Sequence, residues 1–155
     1  MPMEDIEKQN QWVDVIAIFL ATIAALAAMA GAVLIGLSQA QAPMSLWPLP
    51  GLVLVDWLLL GAATLFGTIL TVRSMAMKWL MAIWLLTGAF IPLVILGAFS
   101  IGGYVLISHV LFLISTLILS FRRHPKWLDC FASFILGLFV NLGLLLLIIN
   151  LSHPG

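Results

Sequence analysis

The sequence predicts an all-α integral membrane protein: a five-helix transmembrane bundle with a cytoplasmic N-terminus and the C-terminus outside. Three observations carry that prediction. First, the 155 residues are 64% hydrophobic and only 8% charged, whereas a soluble domain is about a quarter charged, and the mean hydropathy is +1.24. Second, five apolar runs follow one another, each near the ~20 residues a helix needs to cross the hydrocarbon. Third, the six basic residues (Lys8, Arg73, Lys78, Arg122, Arg123 and Lys126) lie in the N-terminal stretch and in the second and fourth connections. Five crossings put all of these on one face, which the positive-inside rule makes the cytoplasmic one. The whole chain, 1–155, reads as a single transmembrane domain, expected in a bacterial plasma membrane.

The first predicted helix covers about residues 12–37, after a polar stretch of about residues 1–11. That stretch holds Glu4, Asp5 and Glu7, not the basic n-region of a signal peptide, so the first run reads as a retained anchor. Ala17, Ala21, Ala24, Ala28 and Ala32 recur at spacings of three and four on one face. Such small-residue spacing lets another helix approach closely in lipid. The face fits packing inside this bundle, and a partner subunit is the sharper alternative. Residues 38–51 hold Pro43, Pro48, Pro50 and Trp47 without a charge. Proline and glycine make this a loop, with Trp47 suited to the headgroup boundary.

The second helix covers about residues 52–72, with Asp56 one turn inside its start and Gly61, Thr64, Thr68 and Thr71 forming a small polar stripe. The third, about residues 79–99, carries Pro92 well inside. Proline there frees the carbonyl of Gly88 and bends the helix, which a bundle tolerates when neighbours satisfy the freed group. A small turn at Ser100, Ile101, Gly102 and Gly103 leads to the fourth helix, about residues 104–121, with His109, Thr116 and Ser120 on one face. After the basic loop at Arg122 to Trp127, the fifth covers about residues 128–151 with Cys130, Ser133, Gly137 and Asn141 on one stripe. Trp12, Trp79 and Trp127 are expected at the cytoplasmic interface, and Trp47, Trp57 and Tyr104 at the outer one.

Depth singles out a candidate site. At 1.5 Å per residue, Asp56 and His109 each lie about 7 Å below the outer ends of their helices, and Asn141 lies about 20 Å above the inner end of its own. Pro92 is at a similar height. Ionisable residues at membrane depth point to function by default, so Asp56, His109 and Asn141 are the candidate ligand-binding residues, able to hold a small headgroup, a quinone ring, a proton or a water. The local alternative is that Asp56 answers the helix dipole, His109 bonds a backbone carbonyl and Asn141 clasps a neighbouring helix. The cations Arg73, Lys78, Arg122, Arg123 and Lys126 are candidate contacts for anionic lipid, or simply the topology signal.

Other chemistry has little foothold. A pair of axial histidines for haem would need a second histidine at membrane depth, and His124 and His153 lie in a loop and the tail. One histidine can hold a five-coordinate haem or a chlorophyll-type magnesium, but a structural role is the simpler reading of His109. The chain has no Gly-rich phosphate loop, no HExxH and no GxSxG, so no catalytic residue, metal ligand or cofactor is assigned. The single cysteine, Cys130, beside Asp129, has neither a disulfide partner nor the setting of a nucleophile. Zero net charge argues against nucleic acid as a partner. In length and five-helix count the chain resembles the tryptophan-rich sensory proteins of the translocator class. The segment Leu46 Trp47 Pro48 Leu49 Pro50 does not reproduce their Trp-Pro loop pattern, so the resemblance implies a shape and no site residue.

Two functions fit. The first is an accessory or structural subunit of a larger membrane complex, respiratory or photosynthetic, with lipids and other transmembrane subunits as partners. The alternative is a small transporter or a binder of a lipophilic ligand such as lipid or quinone, working through the polar residues of the outer leaflet.

Overall fold

The structure, a computed structural model, describes residues 3–40, 49–97 and 102–152. Within them the chain forms five helices and no strand: α1 (Met3–Ala40), α2 (Leu49–Ser74), α3 (Met77–Gly97), α4 (Gly102–Arg123) and α5 (Trp127–Ser152). All five are long and apolar enough to cross a membrane. The expected Trp47 loop and most of the turn after α3 lie outside the described residues.

The helices overrun the predicted apolar runs, most of all at the start. The polar N-terminal stretch is helical from Met3, although the membrane-crossing part begins only at Gln11. Apolarity marks where a helix enters lipid, while Glu, Lys and Gln are good helix formers in water, so the two boundaries need not coincide. Pro50 sits in the first turn of α2, where its missing N–H costs no hydrogen bond. At the basic end the turns are short. Met75 and His124 adopt left-handed φ values of 57° and 45°, the conformation that closes a helix at its C-terminus.

α1, α2, α3 and α4 form a ring, each packed against its two neighbours, and α5 lies outside that ring, seated mainly on α3. The alanines of α1 are the buried face of the first helix. Ser115 on α4 donates to the carbonyl of Ala17 at 2.8 Å, and Asp14 on α1 pairs with Arg122 on α4. The alanine stripe is therefore occupied by this bundle's own helices.

α3 and α5 run side by side in the same direction, in a register that matches Met81 with Ser133, Leu85 with Gly137 and Ala89 with Asn141. Ser133 Oγ donates to Met81 Sδ at 3.6 Å, and Asn141 Nδ2 donates to the Ala89 carbonyl at 2.7 Å. Between these points the backbones touch. A Cβ at Gly137 would collide with the carbonyl of Leu85, and one at Gly88 with the carbonyl of Phe134. Glycine at both places allows the close approach that drives helix association in lipid.

Trp57 departs from expectation. Instead of marking an interface it is buried in the core, its ring pressed against Gly31 of α1. At six residues inside the start of its span, about 9 Å along the helix axis, it lies deeper than the headgroups. Trp12 and Trp127 remain exposed, as does Tyr104, and Lys78 sits over the ring of Trp79.

Candidate functional site

The bundle core falls into two halves. In the half nearest the basic turns, Leu80, Ile83, Trp84, Leu119 and Cys130 pack with Ala17. Most of the polar groups buried here have partners, Arg123 Nε being an exception. Trp84 Nε1 donates to Ser120 Oγ at 2.8 Å, and Ser120 in turn donates to the Thr116 carbonyl at 2.9 Å. The hydroxyls of Thr87 and Thr116 lie 3.3 Å apart, and each also donates back to its own helix. The stripe of Thr64, Thr68 and Thr71 bonds the carbonyls of Leu60, Thr64 and Gly67. Back-bonding of this kind lets a hydroxyl stay in lipid without a distant partner.

The far half is built differently. Leu54, Trp57, Phe90, Leu93, Val105, Phe112 and Leu145 form its core with the upper alanines of α1. Asp56, His109 and Asn141 are all buried, and α3 brings them to one level. Asn141 anchors on the Ala89 carbonyl, and its side chain also interacts with the Asp56 carboxyl. The next residue, Phe90, lies against the His109 ring at 6.0 Å between centroids and against Phe112 at 5.4 Å. Pro92 is buried half a turn further on. Asn141 therefore supports the backbone beside the proline, one carbonyl on from the Gly88 carbonyl that the proline frees.

Three side-chain atoms in this half are buried without a hydrogen-bond partner: Asp56 Oδ2, Trp57 Nε1 and His109 Nδ1. An unpaired buried polar group costs about 1–3 kcal/mol, and buried groups in folded proteins are seldom left open. Sequence reasoning selected Asp56, His109 and Asn141 by depth. It did not select Trp57 or Phe90, because an aromatic residue in an apolar run carries no sign of which way it faces.

The five candidate lipid-contact cations separate. Arg122 is committed to Asp14, and Arg123 Nη2 donates to the Thr71 carbonyl at 2.7 Å, closing the last turn of α2. Arg73, Lys78 and Lys126 are exposed and remain the cations available to anionic headgroups. Among the described residues, no three His, Cys, Asp or Glu side chains converge as a metal site would require.

Fold and site together define a class: a polytopic α-helical membrane bundle with a buried, incompletely paired polar level in its far half. No protein family, no characterised protein and no solved structure matches the chain.

Proposed function

We propose that the protein binds a small lipophilic molecule with a polar end, as a carrier or a transporter, in the far half of the bundle. The observation that carries this reading is the trio of open polar atoms on Asp56, Trp57 and His109, grouped with Asn141 beside Pro92. In lipid no solvent water is at hand to satisfy such groups, so a ligand is their natural complement. The chain then sits in a bacterial plasma membrane with its basic end in the cytoplasm, and the site lies in the outer leaflet. The test is native mass spectrometry of the protein released from lipid nanodiscs. A small molecule should accompany the wild type and be lost from the Asp56→Leu/His109→Leu double variant; its retention by the double variant would defeat the reading.

A second reading is an accessory subunit of a larger membrane complex, and α5 favours it. Only 17% of its span is buried, against 33–50% for the other four, and Phe131, Leu136, Phe139, Val140 and Leu147 face outward. Further transmembrane helices would cover that face. Gentle extraction and a native gel separate the two readings: a large hetero-complex supports this one, and a ligand-bearing monomer or homo-oligomer supports the first.

A further inference from the structure

Resting on the ligand-binding reading above, we infer that the ligand is a lipophilic cation, an ammonium or other onium group carried on an apolar body. The argument begins with charge. Asp56 is the acidic residue buried in the far half, and no ion pair joins it to any described residue. The six cations of the chain all lie in the N-terminal stretch and the two basic turns. Arg73, on the same helix, is 17 residues from Asp56, about 25 Å along the axis and well beyond the reach of a side chain. A carboxylate held in lipid without a counter-charge is expensive, and among the described residues no Lys, Arg or His, His109 included, lies within ion-pair distance of Asp56. A positive charge from outside the chain would let the Asp56 carboxyl ionise at that depth.

The surroundings select which kind. A small hydrated metal ion needs several oxygen ligands, and no converging acidic or histidine set exists among the described residues. The core at this level is instead aromatic and aliphatic, with Trp57, Phe90, Phe112 and Leu93 packed in one cluster. Aromatic faces attract weakly hydrated cations through their quadrupoles, quaternary ammonium above all. An apolar body dissolves in the bilayer that surrounds the site. Asn141, fixed on Ala89, interacts with the carboxyl and brings no charge.

The experiment compares three probes of similar shape and different charge, each titrated onto the whole protein in nanodiscs of uncharged lipid: tetraphenylphosphonium, tetraphenylborate and neutral triphenylphosphine oxide. The cation should bind at least about tenfold more tightly than the other two. Asp56→Asn should lose that preference and Asp56→Glu keep it, with size-exclusion profiles showing that both variants remain folded. If the neutral or anionic probe binds as well as the cation, and Asp56→Asn leaves its affinity unchanged, the charge assignment is overturned while the ligand site stands. If no probe binds and no small molecule co-purifies, both fall together.

Discussion

The two halves of the bundle handle the same difficulty in opposite ways. Each buries polar side chains in a setting without water. The basic half closes most of them: Trp84 on Ser120, Ser115 on the Ala17 carbonyl, Arg123 Nη2 on the Thr71 carbonyl, Asp14 on Arg122, with Arg123 Nε left open. The far half leaves Asp56, Trp57 and His109 each with an open atom. A half that closes its polar groups gains a fixed helix arrangement; a half that leaves them open keeps something to offer another molecule. Open groups lower stability, and functional sites are where such losses are expected.

Several changes would break or sharpen that contrast. The largest effect should come from Gly137→Val, which sets a side chain against the Leu85 carbonyl. α5 would be forced off α3, withdrawing Asn141 from both Ala89 and Asp56 and loosening Ser133 from Met81 as well. The expected loss is on the order of 3 kcal/mol, read as a lowered unfolding midpoint and new proteolytic access to α5. Arg122→Ala acts at the opposite end. It leaves Asp14 without its partner at about 15% exposure, a loss of about 1–2 kcal/mol, between the exposed and the fully buried limits, with ligand binding unchanged. The smallest effect should be a gain. His124 holds a left-handed φ of 45° that glycine adopts freely, so His124→Gly should raise stability by about 0.5 kcal/mol, seen as a slightly higher melting temperature.

Much of this was legible in the sequence, for reasons that differ from place to place. The five spans and the collection of every cation at one end follow from hydropathy and residue position, which the bilayer enforces strictly. The stripe Cys130, Ser133, Gly137 and Asn141 marked one face of α5, because spacing by three and four on a helix fixes a face, but not that α3 meets it. Its partners Met81, Leu85 and Ala89 were not visible, since two of them contribute only a backbone carbonyl, which leaves no mark in a sequence. Depth placed Asp56, His109 and Asn141 at one height. Height does not fix rotation about a helix axis, so it could neither join Asp56 to Asn141 nor seat His109 on Phe90. Trp57 was assigned to an interface by residue type, and its burial depends on Gly31, a contact between two helices. The commitment of Arg122 to Asp14 was hidden for the same reason.

The central claim is that Asp56 is kept for a ligand and not for the fold. Chemical unfolding of the ligand-free protein tests it most directly, with Asp56→Leu set against Ser120→Ala. Ser120→Ala should unfold more easily by about 1 kcal/mol, having stranded the Trp84 indole N–H, while Asp56→Leu should match or exceed the wild type. An Asp56→Leu protein that unfolds more readily than Ser120→Ala would contradict the account and make the carboxyl a structural group.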